Sequence, residues 1–314
     1  GSLLIMENTN EELILVLADE GKSVHQKEVA SKILKIVSLV VVYAFLALFA
    51  LVMIFPFYWM IITSLKGGEE IQRLVPTLWP EVMRWDNYAS AFSRLNFGVL
   101  LRNTLVVGVI STLGTLVTTI FAAFAFARLE FKGKDLLFSI LLSTMMIPGE
   151  MMVVSNYISV SLFGMTGGNN IVGAYTAMII PFMISVFYIY LLRQNFKQIP
   201  NELYLAAKVD GKSDWEYLWK VMVPLAMPTL TTIFILKLMG SWNAYVWPNL
   251  IASGNSQFYL ITNGLRETFN STENYDDYGA QMAATVIVTV PLLLVFIFFR
   301  KYIMRGVSRA GIKG

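Results

Sequence analysis

Six long apolar stretches follow one another along the chain, with shorter polar segments between them. They cover residues 36–62, 104–127, 136–160, 171–192, 225–251 and 280–299. Each has close to or more than the roughly 20 residues that a helix needs to cross a bilayer. A membrane β-barrel would instead show weak alternation over segments of about ten residues, and only helices and closed barrels satisfy the backbone in lipid. The pattern therefore predicts an all-α fold, a polytopic membrane bundle of six transmembrane helices.

The polar segments at the two ends predict tails outside the membrane. We divide the chain into an N-terminal tail at 1–35, a membrane domain at 36–299 and a C-terminal tail at 300–314. The apolar run 13–17 in the first tail is too short to span a bilayer and has acidic neighbours, so it predicts a packing or interfacial helix. No signal peptide is expected in this segment.

A polar island at residues 200–228 separates the fourth and fifth apolar stretches and predicts a hairpin of two short helices. Pro200 suits the first turn of a helix, where its missing N–H is not needed. The residues at i, i+3, i+4 and i+7 of the first helix share one narrow face: Leu203, Ala206, Ala207 and Asp210. Because two adjacent alanines let another surface approach the backbone closely, this face predicts docking onto a partner outside the membrane. An ordinary amphipathic connector is the alternative.

Local chemistry predicts where the two helices of the hairpin begin and end. Gly211 can adopt the left-handed conformation that terminates a helix. Ser213 and Glu216, three residues apart, form a capping box that starts the second helix. Pro224 and Pro228 are predicted to stop it.

The positions of Lys and Arg predict the orientation of the bundle. An even number of spans leaves both ends on one side, and the segments on that side hold 17 of the 24 basic residues. The segments on the other side hold six, and the remaining one lies within a span. By the positive-inside rule, both termini and the hairpin are cytoplasmic. The two longest loops of the opposite side, 63–103 and 252–279, then face the outside.

Composition agrees with a membrane protein and argues against several classes of function. Hydrophobic residues make up 56% of the chain and charged residues 14%, which is too apolar for a soluble domain of this length. The chain has no cysteine, and its only histidine, His25, has no other metal-ligating residues clustered around it, so no metal site is expected. No nucleophile is paired with a base and no phosphate-binding loop is present, so we expect neither enzymatic catalysis nor ATP hydrolysis by this chain. The net charge of +3 is small, and no nucleic-acid partner is expected.

Two charged residues inside the apolar stretches are candidates for a solute path, because charges are costly in lipid and usually face a cavity or a partner. Glu150 follows the Pro148-Gly149 break in the third stretch, and Lys237 lies midway through the fifth. At 1.5 Å per residue they lie about 22 Å and about 15 Å from the inner ends of their helices. A long lysine side chain could bridge that difference if the helices are neighbours. The alternative is that another chain or water satisfies each of them.

A polar and aromatic cluster lies on the outer half of the fifth stretch, and comprises Trp242, Asn243, Tyr245 and Trp247. Aromatic rings cover the C–H face of a sugar, while amide and hydroxyl groups bind its hydroxyls. Aromatic residues at the outer ends of spans are also ordinary anchors at the membrane interface. We assign Asn243 and Tyr245 to the solute path, with Trp242 beside them, and Trp247 to the interface.

The hairpin resembles the cytoplasmic coupling loop of ABC-importer permeases. That loop reads Glu-Ala-Ala, three residues, Gly, nine residues and Ile-x-Leu-Pro. Ala206, Ala207 and Gly211 match it, and residues 221–224 match conservatively. Asp210 precedes the glycine, as in the sugar-importing branch of the family.

One position of the hairpin departs from the family pattern. Leu205 stands where the family has its glutamate, so this position cannot form any salt bridge that the family makes there. Glu202, about one helical turn earlier, is the nearest acidic residue that could compensate.

Landmarks along the rest of the chain resemble MalG-like permeases, the second membrane subunit of maltose-type carbohydrate importers, in order and spacing. They are the segments 55–59 and 63–66, Asn87-Tyr88, Asn103-Thr104, 125–128, 146–148, 191–196 and the Gly-rich, lysine-bearing end at 306–314. Any one of these would be weak evidence, but the hairpin, the C-terminal end and their order together are specific.

The resemblance implies a type I ABC importer in a bacterial plasma membrane. It implies four kinds of partner: a second, MalF-like permease, two ATPase subunits or a homodimer of one, an extracellular solute-binding protein, and a sugar substrate. ATP and magnesium would be bound by the ATPase subunits, with no cofactor on this chain. A non-sugar solute, such as a polyol phosphate, polyamine or metal complex, is the alternative, and a transporter without an ATPase would have no use for the hairpin.

The resemblance also implies roles for two sets of residues. The coupling residues are Glu202, Leu203, Leu205, Ala206, Ala207, Asp210, Gly211 and Ser213. The tail residues expected to contact the ATPase are Gly311, Ile312, Lys313 and Gly314.

Overall fold

The computed structural model describes residues 2–166, 170–269 and 276–311, with side chains over 32–166, 170–269 and 277–301, and within these ranges it is helical with no strand. The α-helices are α1 Ser2–Ser64, α2 Gly68–Ile71, α3 Asp86–Arg94, α4 Phe97–Arg128, α5 Lys134–Thr144, α6 Val153–Leu162, α7 Ile171–Ile179, α8 Val186–Gln198, α9 Asn201–Val209, α10 Asp214–Tyr217, α11 Val223–Leu225, α12 Met227–Trp242, α13 Val246–Ala252, α14 Ile261–Phe269 and α15 Asp276–Gly311. Short 3₁₀ segments lie at Gly149–Met152, Ile180–Phe182 and Ser256–Phe258, and a π-helix at Leu218–Met222.

The chain divides into two units, residues 1–60 and residues 61–314. The first unit is a single helical segment whose side chains are exposed from 32 to 57. Its rings stack along the helix, for example Phe55 on Trp59 with 5.9 Å between ring centroids. A helix this apolar on all sides is typical of a segment whose neighbours are lipid or other membrane helices.

Three helices are long and apolar enough to cross a membrane, and the number of spans reaches the predicted six if each of three bent helix pairs is counted as one span. The continuous ones are 32–64, α4 and 277–301. The third stretch bends by 84° between α5 and the segment Gly149–Leu162, and the fourth bends by 47° between Phe182 and α8. The bend in the third stretch lies at the predicted Pro148-Gly149 break, whereas the bend in the fourth stretch was not predicted.

The fifth stretch also differs from the expectation. α12 has 16 residues and ends at Trp242, and a separate helix, α13, begins at Val246. A 75° bend separates α12 from the helical segment Asp214–Leu225 before it. Pro228 lies in the first turn of α12, where a missing N–H costs nothing. It is therefore part of the start of α12 and not only a stop for the helix before it.

α4 is the central element of the second unit. It buries Ile120 and Phe124 in one core cluster and Val107 in another. Near its beginning, the Asn103 side chain donates to the carbonyls of Gln257 and Tyr259, at 2.8 and 3.0 Å.

At its end, α4 reaches the base of the hairpin, where Arg128 donates to the carbonyl of Phe196 at 2.9 Å. Residues 103 and 128 of one helix lie about 38 Å apart at 1.5 Å per residue. The hairpin and the segment 255–260 consequently lie at opposite ends of α4.

Candidate coupling hairpin and solute path

The first helix of the hairpin, α9, ends in the predicted left-handed glycine. Gly211 has φ of +72°, and the backbone N–H groups of Gly211 and Lys212 donate to the carbonyls of Lys208 and Ala207 at 3.1 and 2.9 Å. This pair of bonds is a Schellman motif, which satisfies the last carbonyls of the helix. Pro200 immediately precedes the helix and does not form its first turn. The turn between the two helices is thus fixed by backbone geometry.

The second helix of the hairpin starts as predicted and ends differently. The Ser213 hydroxyl accepts from the backbone N–H of Glu216 at 3.2 Å. The helix passes from α10 into a π-helix and then into α11, so Pro224 lies inside helical structure and does not stop it. A proline removes one backbone hydrogen bond and crowds the preceding turn, and the wider π turn just before Pro224 accommodates both effects.

The predicted narrow face of α9 is divided between the protein interior and the surface. Ala207 packs against a buried cluster together with Tyr204. Leu203, Ala206 and Asp210 are exposed, as are the other predicted coupling residues, Glu202, Leu205, Gly211 and Ser213. Ala206 is therefore exposed, whereas Ala207 is partly buried against its own chain. The coupling role of both alanines stays a prediction.

Polar contacts fasten the two helices of the hairpin to each other. The Tyr204 hydroxyl donates to Asp214 at 2.7 Å, and the Lys208 ammonium lies 2.8 Å from the same carboxylate. The hydrogen bond to Asp214 raises the pKa of Lys208 above its ordinary value. The Tyr204 ring meets Tyr217 edge to face, with 5.0 Å between centroids. Since Tyr217 is buried, the hairpin is one packed body and not a loose loop.

Large apolar side chains remain exposed on this body. Val209 is 88% exposed, Leu205 55% and Leu203 43%. Trp215 is 61% exposed and stacks on Phe121 of α4 with 5.9 Å between centroids. Leu205, which replaces the family's glutamate, thus adds an apolar group to an exposed surface. A cluster of exposed apolar groups on an otherwise polar segment is typical of a protein interface.

Two arginines that were not predicted from the sequence hold the base of the hairpin. Arg128, at the end of α4, donates to the carbonyls of Phe196 and Ile199, which are the last turn of α8 and the residue before Pro200. Arg193 donates to the carbonyl of Phe126 at 3.1 Å and lies 3.8 Å from the centroid of the Phe138 ring. A basic residue in the last turn of a helix is the sequence signal for such a contact at Arg128, whereas Arg193 lies within α8 and has no such signal.

The break in the fourth span exposes backbone carbonyls that side chains of two other helices satisfy. Thr115 donates to the carbonyl of Phe182 at 3.1 Å, and Thr118 donates to that of Met183 at 2.6 Å. Lys237 of α12 also donates to the carbonyl of Phe182, at 2.9 Å. Gly114 makes this approach feasible, since an added Cβ there would lie 2.1 Å from the Met183 side chain. The broken span, α4 and α12 therefore meet at one polar point.

The ion pair considered between Glu150 and Lys237 is not formed in this structure. Lys237 binds the Phe182 carbonyl and faces a cavity of about 290 Å³. Glu150 lies in the 3₁₀ segment at the bend of the third span and is exposed. The 84° bend invalidates the estimate of its depth, which assumed a straight helix.

The polar and aromatic cluster after α12 is largely internal. Trp242 is 7% exposed and packs in a core cluster, so it is largely covered by its own chain, against its assignment to the solute path. Trp247 is equally buried, and its indole N–H donates to the carbonyl of Ala177 at 3.0 Å, so its assignment to the membrane interface is corrected as well. Asn243 is exposed.

Tyr245 is half-buried and contacts a set of polar residues on α14. Its hydroxyl donates to Glu267 at 3.2 Å, and the Arg266 guanidinium lies 4.5 Å from the centroid of its ring. The Asn263 side-chain amide donates to the backbone carbonyl of Tyr245 at 2.8 Å. Asn243 and Tyr245 remain candidates for a solute path, with Tyr245 held in place by α14.

A charged cleft of about 670 Å³ lies at the beginning of α15. Arg94 pairs with Asp277 at 2.6 Å, and Arg73 binds both carboxylate oxygens of Glu81, at 2.5 and 2.9 Å. Burial lowers the pKa of the nearby Lys66. These residues come from loop 63–103 and α15, so the longer predicted outer loop forms an ordered surface.

Part of the predicted C-terminal site lies outside the described residues. Gly311 is the last residue of α15, and Ile312, Lys313 and Gly314 follow it beyond the described range.

Comparison with known proteins identifies the class of protein. Residues 28–309 match the family described as binding-protein-dependent transport system inner membrane component, and the chain belongs to that family. It is therefore a multi-pass membrane subunit of a binding-protein-dependent transport system, and the sequence-based assignment to ABC-importer permeases of the MalG-like type is confirmed.

Similar curated proteins are permease subunits for several solutes. The arabinooligosaccharides transport system permease protein AraQ of Bacillus subtilis is 30% identical over 276 residues, which cover 86% of this chain and 94% of AraQ. The diacetylchitobiose uptake system permease protein NgcG of Streptomyces coelicolor is 30% identical, covering 85% of this chain and 86% of NgcG. The sn-glycerol-3-phosphate transport system permease protein UgpE of Yersinia pestis is 25% identical, covering 82% of this chain and 91% of UgpE.

The fold is also that of a solved transporter. A bacterial ABC transporter involved in the import of the acidic polysaccharide alginate contains a chain that superposes with a TM-score of 0.73 at 24% identity. The superposition covers 84% of this chain and 95% of that one. This likeness confirms the predicted all-α membrane bundle.

Proposed function

We propose that this chain is a permease subunit of an ATP-driven importer that takes up a sugar or oligosaccharide. The observation that carries the proposal is the hairpin: a rigid, capped body that presents Leu203, Leu205, Val209 and Trp215 at its surface. A membrane helix bundle has no internal use for such groups. A partner that hydrolyses ATP has a use for them, since it must transmit motion to the spans.

The partners of the complex follow from the family and the two ends of α4. Two ATPase subunits, or a homodimer of one, bind the hairpin and carry ATP and magnesium, while this chain takes part without catalysis or a cofactor of its own. A second, MalF-like permease completes the membrane pathway. The solute-binding protein docks on the opposite side, where the charged cleft at the beginning of α15 offers an ordered surface.

The orientation is part of the proposal. Both termini and the hairpin lie in the cytoplasm, supported by the excess of Lys and Arg in the segments on that side. The C-terminal residues 311–314 are assigned a contact with the ATPase subunits, since the sequence just before them is rich in basic residues.

Sugar is the solute class that similar proteins favour. The names of AraQ and NgcG assign them to arabinooligosaccharides and diacetylchitobiose. A polyol phosphate is the second candidate, because UgpE is a permease for sn-glycerol-3-phosphate. Asn243 and Tyr245, with an amide and a hydroxyl beside an aromatic ring, are suited to the hydroxyl-rich surface that both kinds of solute share.

The bent spans supply a mechanism for alternating access. ATP binding moves the ATPase subunits and with them the hairpin, and α12 leaves the hairpin directly after the bend at Ala226. α12 contacts the break of the fourth span through Lys237. Hinges between packed helices absorb such motions while the helices themselves stay rigid.

The test replaces Gly211 by valine in the reconstituted importer. A β-branched residue cannot adopt φ of +72° without a cost of about 1–2 kcal/mol, so the turn of the hairpin should distort. We expect uptake to fall several-fold while basal ATP hydrolysis by the complex persists. Both rates are measured in proteoliposomes that contain the binding protein and the solute.

A matched control is available in the loop between α4 and α5. Gly133 has φ of +81°, and a Cβ at either glycine would meet open space, so Gly133→Val imposes similar backbone strain outside the hairpin. It should leave uptake and ATP hydrolysis coupled. Normal uptake and normal solute-stimulated ATP hydrolysis in Gly211→Val would refute the coupling role of the hairpin.

A further inference from the structure

A cavity beside the break of the fourth span combines the chemical groups that bind a sugar with a positive charge. Its volume is about 290 Å³, and the side chains that matter are Phe182, Ser185, Tyr188, Lys237 and Ser241. Two rings can cover an apolar sugar face, and two hydroxyls can exchange hydrogen bonds with sugar hydroxyls. A volume near 300 Å³ is at the lower end for a small-molecule site. The cavity suits one or two sugar units.

Lys237 is incompletely satisfied by the described part of the chain. An ammonium group has three N–H donors, and here one of them bonds to the Phe182 carbonyl at 2.9 Å. The ammonium also lies 5.7 Å from the centroid of the Phe182 ring. No carboxylate among the described residues forms an ion pair with it. A positive charge within an apolar stretch and without a counterion among the described residues is costly, which favours the binding of an anion there.

We propose that this cavity is a subsite for an acidic saccharide unit, whose carboxylate or phosphate group binds Lys237. The inference rests on the proposed function and goes beyond it in naming an anionic sugar. The Phe182 carbonyl fixes the ammonium at the cavity edge, so the site is arranged before the solute arrives. The rings of Phe182 and Tyr188 and the hydroxyls of Ser185 and Ser241 then bind the remainder of the sugar unit.

Occupation of this subsite would act on the hairpin through one helix. Lys237, Gly240 and Ser241 lie on α12, which begins at Met227 immediately after the hairpin. The Ser241 hydroxyl also lies 3.3 Å from that of Ser111 of α4. A bound anion thus contacts the helix that joins the membrane pathway to the hairpin.

The role of the Lys237 charge is tested by measuring how saccharide probes bind to the purified complex in lipid nanodiscs, without the binding protein. The probes are tetragalacturonate for a carboxylate, maltose 1-phosphate for a phosphate, and maltotetraose as the neutral sugar. Affinities are measured by ligand-observed NMR. Lys237→Met should weaken binding of at least one acidic probe by about tenfold or more, the effect of losing a charge-assisted hydrogen bond. Lys237→Arg should retain most of the affinity, and maltotetraose should change less than about twofold.

The cavity itself is tested at Gly240, where a Cβ would meet open space. Gly240→Phe should fill the cavity and abolish binding of the acidic probe. Gly98→Phe is the control, because Gly98 also lies in a helix with open space around it, far along α4 from this cavity.

The outcomes separate this inference from the proposed function. Failure of both acidic probes to bind the wild-type complex would overturn it, as would an equal loss of acidic and neutral probes in Lys237→Met. Failure of the Gly240→Phe complex to assemble would show that the cavity is covered by the second permease, and this too would overturn it. In each case the Gly211→Val experiment still decides the coupling role, since it uses whichever solute the binding protein delivers.

Discussion

α4 and the hairpin use polarity in opposite ways. α4 crosses the membrane, yet it buries Asn103, Thr104, Ser111 and Thr115, each with a hydrogen bond to another group of the chain. The hairpin lies outside the apolar stretches, yet it leaves Val209 and Leu205 at its surface. Polar groups that are buried in lipid need partners within the protein, whereas apolar groups exposed to water are costly unless another protein covers them. α4 is therefore organised to hold this chain together, whereas the role proposed for the hairpin is to bind another one.

The contrast does not extend to every polar residue of α4. Thr112 and Thr119 are fully buried, and their hydroxyls have no hydrogen-bond partner among the described residues. The residues that carry the contrast are therefore the ones with partners on other elements, above all Asn103.

The largest effect on stability is expected from a substitution of Asn103 in α4. Asn103→Leu would remove the donor to the carbonyls of Gln257 and Tyr259 and the acceptor for the Tyr175 hydroxyl, at 2.6 Å, and leave these groups unpaired. Each buried unpaired group costs about 1–3 kcal/mol, so the loss should total roughly 3 kcal/mol or more. The measurement is thermal unfolding of the purified complex in detergent. Asn243→Leu, at an exposed asparagine, should leave the midpoint almost unchanged, and equal midpoints for the two variants would contradict the role assigned to α4.

A smaller effect is expected at the junction of the two regions. Arg128→Met removes the donors to the carbonyls of Phe196 and Ile199, and a hydrogen bond from a charged group contributes about 1.5–3 kcal/mol. The global fold should survive, because both hydrogen bonds are local to the base of the hairpin. Backbone amides of α9 should exchange hydrogen roughly 30-fold faster, which corresponds to about 2 kcal/mol. Arg84→Met, at an exposed arginine, serves as control. Unchanged protection in α9 would mean that Arg128 does not support the hairpin.

The smallest effect is expected on the surface of the hairpin, and it should appear only in the assembly. Val209→Asp should leave the unfolding midpoint of this subunit unchanged because the side chain is 88% exposed. Association with the ATPase subunits should weaken about tenfold, since burying a valine contributes about 1.5 kcal/mol. Val75→Asp makes the same substitution at a position that is 77% exposed, in loop 63–103. Equal association of the two variants with the ATPase, measured by light scattering or pull-down, would remove Val209 from the interface.

The parts of this molecule that can be predicted from sequence are those whose cause is local. The left-handed Gly211 and the Ser213 cap depend on residues within one turn of them, and both predictions are confirmed. The positions and number of the spans depend on runs of apolar residues, which the sequence shows directly. The break at Pro148-Gly149 is visible in the sequence, but its angle of 84° depends on what the two halves pack against.

The errors concern residues whose environment comes from distant parts of the chain. Trp242 is buried by residues such as Ala280 and Ala283, and Trp247 bonds to Ala177, so neither environment can be seen in the residues beside them. Ala207 shares a helix with exposed Ala206, and only the packing of the two hairpin helices decides which of them is covered.

Arg128 and Arg193 escape prediction for the same reason. Their carbonyl partners lie more than 60 positions away in sequence, on another helix, for each contact. Arg128 ends α4 and Arg193 lies within α8, and only the meeting of these two helices decides that both donate to neighbouring carbonyls.

The bend at Ala226 makes α12 a lever arm. Lys237 lies 11 residues beyond Ala226, or about 16 Å along the helix axis. A rotation of about 10° at the bend would displace Lys237 by about 3 Å, which is the length of its hydrogen bond to Phe182. A small rotation of the hairpin about this bend would thus be enough to break or form the hydrogen bond between Lys237 and Phe182. This conversion requires that α12 moves as one rigid helix.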